Sequence, residues 1–182
     1  MVSDLRARLV ADAMRLLADD PAALTLRAVA RAAGVSAMAP YRHFPDKAAL
    51  LEAVKREGFQ QLRLVLRDAD EADNDAEALI GQGLAYLRFA ADHPALFRLM
   101  FAGPLAKPSI AKAEDETAYG VLARRIARLT PSQAEVATTA AWAIVHGLAV
   151  LQLDDRLPPD EAQARAAMTL FVRGLGGPFR PI

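Results

Sequence analysis

The sequence predicts an all-α protein of about nine helices, with a small N-terminal head and a larger helical body. Alanine and leucine dominate the 182 residues, and β-branched residues are sparse, which favours helices over strands. Apolar residues recur at helical spacing along most of the chain, as they do in amphipathic helices. We place the head at residues 1–46 and the body at residues 47–182.

Composition excludes several classes of protein. The chain has no cysteine, so disulfides, zinc-thiolate sites and cysteine catalysis are excluded. The histidines, His43, His93 and His146, lie far apart and have no carboxylate at metal-ligand spacing beside them. The sequence also lacks a glycine-rich phosphate loop and a nucleophile elbow. We therefore expect no enzyme activity, no cofactor and no metal.

The expected location is the cytoplasm. The first residues do not form the basic region and apolar region of a signal peptide. The longest apolar run, residues 140–151, is interrupted by His146 and is too short to span a bilayer. We therefore expect no contact with a membrane.

The head begins with a helix from Ser3 to about Leu17, which the sequence Asp19-Asp20-Pro21 ends. A second helix follows Thr25, whose hydroxyl can accept a free backbone N–H of the first turn. Gly34 then supplies the left-handed conformation that commonly ends a helix. These signals predict two helices joined by tight turns.

The next stretch, residues 36–44, predicts a short helix with an unusual surface. Ser36 is a natural N-cap, and Met38, Tyr41, Arg42 and His43 then leave little room for an apolar face. Tyrosine, arginine and histidine side chains can donate hydrogen bonds to phosphates or base edges. Two short helices joined in this way are typical of a helix-turn-helix, whose second helix enters a DNA major groove.

Residues Thr25 to Val54 resemble the DNA-binding head of the TetR/AcrR family of bacterial transcriptional regulators. The motifs that carry the resemblance are Gly34-Val35-Ser36, Tyr41-Arg42-His43-Phe44, Lys47 and Leu50-Leu51. In the body, Trp142-Ala143-Ile144-Val145-His146-Gly147-Leu148 resembles the Trp-His-Gly subgroup of that family. The resemblance implies a regulator of operator DNA, most commonly a repressor that a small effector releases. Pro40 departs from the family pattern and shifts the expected start of the recognition helix by a residue.

The predicted contacts with double-stranded DNA fall into two groups. The phosphate contacts are Thr25, Tyr41, His43 and Lys47, the residues nearest the base edges are Arg27, Ala37, Met38 and Arg42, and Ser36 begins the recognition helix. The charge distribution agrees with this assignment, although the net charge is zero. Residues 1–56 hold nine basic and six acidic residues, whereas residues 57–182 hold thirteen and sixteen, so only the head is basic.

The body is predicted to contain six helices. Their approximate ranges are 47–67, 75–92, 95–101, 109–129, 131–153 and 160–174. The acidic segment 68–77 is interpreted as a solvated loop. The last two long helices carry stripes of small or apolar residues, including Ala140, Ala143 and Gly147. We expect them to form a two-fold homodimer by pairing into a four-helix bundle.

A ligand pocket is expected among aromatic and polar side chains of the body. The candidate residues are Tyr86, Phe89, Phe97, Met100, Phe101, Trp142 and His146. Because this set offers few charges, the expected effector is a small, largely apolar molecule. Each of these side chains can equally fill a core. The alternative is therefore a helical dimeric interaction protein without ligand control.

Overall fold

The computed structural model describes residues 2–72, 74–102 and 117–175, and within these ranges it is built from α-helices and short 3₁₀ turns without a strand. The helices are α1 (Val2–Asp19), α2 (Leu26–Ala32), α3 (Lys47–Asp68), α4 (Asp75–Asp92), α5 (Pro94–Phe101), α6 (Ala118–Leu129), α7 (Ala134–Leu153) and α8 (Glu161–Leu175). The all-α prediction is confirmed. The expected beginning of the helix over 109–129 lies outside the described residues, which resume at 117.

The described ranges hold eight α-helices rather than about nine, because the second helix of the predicted helix-turn-helix is a 3₁₀ turn over Pro40–Arg42. A second difference concerns α7. Thr130 does not cap this helix with its side chain, and a 3₁₀ turn over Pro131–Gln133 precedes its first α-helical residue, Ala134.

The chain folds into two compact units. The first comprises Met1–Phe59 and His93–Leu105, and the second comprises Gln60–Asp92 and Ala106–Ile182. Helix α3 begins in the first unit and ends in the second, and α5 belongs to the first unit although it follows α4 in the chain. The functional boundary between residues 46 and 47 stays a prediction.

In the first unit, α1 packs against α2 and α5 around a core of large apolar side chains. Its fully buried members include Leu9, Leu24, Val29, Phe44, Leu50 and Phe97. Helix α3 approaches α5 closely at Gly58. A Cβ atom at this position would lie 2.7 Å from the sulfur of Met100, so the close approach depends on the missing side chain.

Helix α4 is the central element of the second unit and packs against α6, α7 and α8. Eleven of its eighteen residues are buried, as expected of a helix that is apolar on nearly every side. At Gly83 a Cβ would lie 2.0 Å from the sulfur of Met168 on α8. This glycine therefore sets how closely α4 and α8 approach.

The acidic segment over 68–77 is not simply a solvated loop, which corrects the sequence interpretation. The guanidinium of Arg125 on α6 is 5% exposed, and its Nε lies 2.7 Å from a carboxylate oxygen of Asp70. A second nitrogen of the same group pairs with the carboxylate of Asp75. The side-chain amide of the buried Gln82 also donates to Asp70. The carboxylates thus neutralise a buried cation, whose pKa is raised by its hydrogen bond to Asp70.

Candidate nucleic-acid interface

Both ends of α2 have the geometry predicted from the sequence. The hydroxyl of Thr25 accepts a hydrogen bond from the N–H of Ala28 at 3.1 Å. At the other end, Gly34 has φ of +67°, and the N–H of Val35 donates to the carbonyl of Ala30 at 3.0 Å. This is the bonding pattern of a Schellman cap, which a left-handed residue makes possible. The chain therefore leaves α2 in a defined direction.

The segment that follows, residues 36–43, is named the recognition turn. The N–H of Ala39 donates to the carbonyl of Ser36 at 2.9 Å, and the N–H of His43 donates to the carbonyl of Pro40 at 2.9 Å. Both are three-residue bonds, although the N–H of Phe44 also donates to the carbonyl of Pro40 at 2.9 Å. The segment is therefore a 3₁₀ turn over Pro40–Arg42 and not the regular recognition helix that the sequence predicts. The physical reason is Pro40, which has no N–H to donate to Ser36 and which starts a 3₁₀ turn instead.

The predicted DNA contacts lie almost entirely on the surface. Eight of them are exposed and His43 is half-buried; the exposed ones are Thr25, Arg27, Ser36, Ala37, Met38, Tyr41, Arg42 and Lys47. The capping bond of Thr25 is compatible with the predicted phosphate contact, because a hydroxyl that accepts a hydrogen bond can still donate its proton. The face combines three cations with hydroxyl donors, which suits a phosphate backbone.

The recognition turn is held from beneath by buried residues. Pro40 is buried and Phe44 is 1% exposed. The guanidinium carbon of Arg6 lies 5.2 Å from the centre of the Phe44 ring, within the range of a cation–π interaction. Arg8 donates to the carbonyl of Ala33 at 3.0 Å, which ties α1 to the end of α2. The exposed side chains therefore stand on a packed base.

In the second unit, a polar and aromatic cluster joins three helices. The hydroxyl of Tyr86 lies 2.9 Å from Nδ1 of His146. The rings of Trp142 and His146 have centroids 6.0 Å apart, and Tyr119 meets Trp142 edge to face at 6.1 Å. We name Tyr86, Tyr119, Trp142 and His146 the aromatic cluster.

The predicted ligand set is divided between the units. Tyr86, Trp142 and His146 are together in the second unit, where Phe89 is also buried on α4. The others, Phe97, Met100 and Phe101, belong to the first unit. There Phe97 and Met100 are buried, and Phe101 contacts Phe59 and Phe97.

Burial keeps the polar members of the aromatic cluster uncharged. Desolvation raises the pKa of Tyr86 well above its usual range and lowers the pKa of His146. The tautomer of His146 decides which of the two groups donates in the bond between Tyr86 and Nδ1. The cluster therefore combines aromatic rings with a hydrogen bond between two neutral side chains.

Comparison with known families identifies the chain. Residues 9–54 match the family described as bacterial regulatory proteins, tetR family. Residues 79–175, more than half of the chain, match the tetracyclin repressor-like C-terminal domain. The chain belongs to the TetR family of transcriptional regulators. A comparison with curated proteins gave no match.

Solved structures agree with this TetR family assignment. A protein of unknown function from Rhodococcus sp. RHA1 is 31% identical, with a TM-score of 0.81 over 95% of this chain and 96% of its own. A TetR family transcription regulator from Marinobacter aquaeolei VT8 is 19% identical, with a TM-score of 0.69 over 94% and 95%. A TetR variant from Acinetobacter baumannii AYE in complex with minocycline is 20% identical, with a TM-score of 0.61 over 92% and 91%. The last two show likeness of fold.

Two further features bear on the class of this TetR family regulator. Within the described ranges, Pro131–Leu153 is long and apolar enough to cross a membrane, and its most apolar window of 18 residues has a mean hydropathy of 1.6. A helix of a soluble protein can meet the same criterion, so this is weak evidence for a membrane. The described residues hold no group of three or more histidine or acidic side chains placed to bind a metal.

The sequence analysis did not single out Tyr119 or the pairing of Arg125. The predicted helix over 109–129 places Tyr119 near its middle, whereas Thr117 caps α6 by accepting from the N–H of Gly120 at 2.9 Å. Tyr119 therefore lies in the first turn of α6. Arg125 carried no sequence signal for its pairing with Asp70, because 55 residues separate them.

Proposed function

We propose that the protein is a transcriptional repressor that binds double-stranded operator DNA in the cytoplasm and is released by a small, largely apolar effector. One observation carries the DNA-binding part: the recognition turn exposes hydroxyl donors and cations above the buried Pro40 and Phe44. Tyr41, His43, Thr25 and Lys47 bind phosphates, and the recognition turn with Arg27 approaches the base edges.

A homodimer is the second part of the proposal, and the surface of the last two helices supports it. On α7, Val136 is 74% exposed and Leu151 is 41% exposed, with the exposed Ala143 and the uncovered Gly147 between them on the same face. On α8, Leu170 is 70% exposed. Exposed apolar stripes of this kind are typical of an interface. A two-fold dimer places two recognition turns at half-sites about 34–36 Å apart, or a multiple of that distance.

The effector is proposed to bind at the aromatic cluster. Neutral side chains of tyrosine, tryptophan and histidine within apolar surroundings suit a small ligand with few charges. The TetR variant from Acinetobacter baumannii, whose structure contains minocycline, shares the fold and supports the proposal that this chain also binds a small molecule. Because α3 is continuous from the first unit into the second, it is the element through which we expect effector binding to change DNA affinity.

The DNA-binding proposal is tested by selecting bound duplexes from a random library with the full chain and measuring affinity by mobility shift. Lys47→Ala is expected to weaken binding to every selected sequence and to reduce the salt slope by roughly one unit. The matched control is Arg67→Ala, which removes an exposed positive charge from the other end of α3.

Two outcomes would contradict the proposal. If the library yields no sequence that binds above the background, the protein is not an operator-binding regulator and the interaction protein without ligand control is favoured. If Lys47→Ala weakens binding to one sequence only, then Lys47 reads a base and its assignment to phosphate is wrong.

A further inference from the structure

The recognition turn carries an apolar tip. Met38 is 68% exposed and Tyr41 is 41% exposed, and they are the two large apolar side chains that are exposed within the described part of the first unit. Ala37, beside Met38, is exposed as well. An exposed methionine within a small cationic surface is a feature that phosphate binding does not require.

Backbone geometry explains why Ala37 and Met38 form the apolar tip. The N–H of Ala39 donates to the carbonyl of Ser36 at 2.9 Å, so residues 36–39 form a turn with Ala37 and Met38 at its two corners. After the corner the chain returns inward, since Ala39 is half-buried and Pro40 is buried. Ala37 and Met38 are thus the exposed corners of this turn, and they form its apolar tip.

The chemistry around the tip selects one kind of partner. Arg27, Arg42 and Lys47 are all exposed, and their charge favours a polyanion. The alanine side chain has no hydrogen-bonding group, and a thioether is only a weak acceptor. In the major groove of DNA, the apolar group on a base edge is the C5-methyl of thymine. An apolar tip within a cationic surface therefore complements a thymine methyl and not the polar edge of a G·C pair.

We infer that Ala37 and Met38 read thymine C5-methyl groups, so that each operator half-site contains an A·T pair at the position facing the tip of the recognition turn. This inference rests on the proposed function, because it names the base that the DNA-binding surface prefers. Met38 is the residue that determines specificity for thymine, and Lys47 supplies affinity that is independent of sequence.

The test replaces thymine with uracil, one position at a time, in a duplex selected by the wild-type chain. Uracil keeps every hydrogen-bonding group of thymine and lacks the methyl group. We expect one or two positions in each half-site where dU weakens binding about fourfold, the factor that corresponds to about 0.8 kcal/mol for one buried methyl-sized group. Positions outside the half-sites serve as the internal control.

The variant Met38→Ala connects the effect to the side chain. Because Met38 is exposed, this change is expected to leave the thermal midpoint unchanged. The Met38→Ala variant should bind the thymine duplex more weakly than the wild type does. Replacing thymine with dU should then reduce its affinity by a smaller factor than it reduces that of the wild type. Met38→Leu, which keeps an apolar side chain of similar size, is expected to retain the dependence on the methyl group.

The outcomes separate the inference from the proposed function. If the selected duplex binds and dU has no effect at any position, or if Met38→Ala loses as much affinity with dU as the wild type does, the inference is wrong and the proposed function stands. If no duplex is selected, both are wrong. Binding to phosphatidylglycerol vesicles that Met38→Ala abolishes, with unchanged binding to the thymine duplex, would assign the apolar tip to a lipid surface and overturn the inference.

Discussion

The hydroxyl of Tyr86 on α4 lies 2.9 Å from Nδ1 of His146 on α7. Sixty residues separate the two in the chain, so their hydrogen bond joins two helices that pack together in the second unit. In the tautomer of the neutral imidazole that carries its proton on Nε2, Nδ1 accepts from the Tyr86 hydroxyl, and the lowered pKa of His146 favours the neutral form. Protonation of His146 would place two donors against each other unless the tyrosine proton turned away.

The lowered pKa of His146 predicts a stability that depends on pH. The unfolded chain has the ordinary pKa of 6.5, and burial lowers it in the folded chain. As the pH falls below about 6.5, the unfolded chain therefore binds more protons than the folded chain. The contribution of His146 to the free energy of unfolding is therefore fully present above pH of about 6.5. It is lost as the pH falls toward the pKa that His146 has in the folded chain.

Urea denaturation between pH 5.5 and 7.5 measures this pH dependence of the stability. Both limits lie about one unit from the ordinary histidine pKa. We expect the midpoint of the wild type to fall with pH. His146→Asn, which retains an acceptor near the position of Nδ1, should flatten the dependence. His93→Asn is the control, because His93 lies in the first unit. An equal slope for wild type and His146→Asn would show that another group titrates.

Arg125 and Arg128 offer a matched pair on α6. Arg125 is 5% exposed and pairs with Asp70 and Asp75, whereas Arg128 is 64% exposed and lies 3.1 Å from Asp75. Arg125→Met should lower the free energy of unfolding by about 3 kcal/mol, because it leaves the carboxylates of Asp70 and Asp75 without their buried partner. Arg128→Met should change it by less than about 1 kcal/mol. Equal losses in urea denaturation would contradict this assignment.

Gly34 is expected to be required for its conformation and not for space. Its φ is +67°, and an added Cβ would meet nothing within 4 Å. Gly34→Ala should therefore destabilise the chain by about 1–2 kcal/mol through backbone strain. Gly34→Asn should cost less, because asparagine tolerates the left-handed region. If thermal or urea denaturation shows the two variants to be equally destabilised, backbone conformation is not the cause.

The proposed dimer is tested at Gly147. In one chain a Cβ at this position would meet nothing within 4 Å, so Gly147→Arg should fold. In a dimer that pairs α7 and α8, the arginine would lie in the interface. We expect sedimentation at micromolar concentration to show a dimer for the wild type and a monomer for Gly147→Arg. The control Leu64→Arg changes an exposed apolar residue on α3 and should remain dimeric. A monomeric wild type would overturn the prediction.

Trp142 provides a signal for effector binding, because it is the one tryptophan of the sequence and belongs to the aromatic cluster. Screening a panel of small, largely apolar compounds by fluorescence should identify ligands that also release DNA. For such a ligand, operator DNA should raise the concentration needed by about 5- to 150-fold, since coupling between two binding sites is reciprocal. An effector that releases DNA but binds equally with and without operator would exclude this mechanism.

The sequence by itself determined the all-α class, the caps of α2 and the exposed recognition turn. The caps at Thr25 and Gly34 can be predicted from the sequence because their hydrogen bonds span only a few residues. These local bonds form wherever α2 forms. Pro40 is also a local signal, and its missing N–H accounts for the 3₁₀ turn that replaced the expected helix.

Only the tertiary structure decided which distant side chains meet. It paired Tyr86 with His146 and Arg125 with Asp70, and it assigned Phe97 to the first unit and Trp142 to the second. Helical periodicity predicts which residues share a face of a helix. It does not predict which other helix packs on that face, or at which position along the axis the two helices contact. Those choices depend on packing between whole helices, where glycines such as Gly83 decide the closest approach.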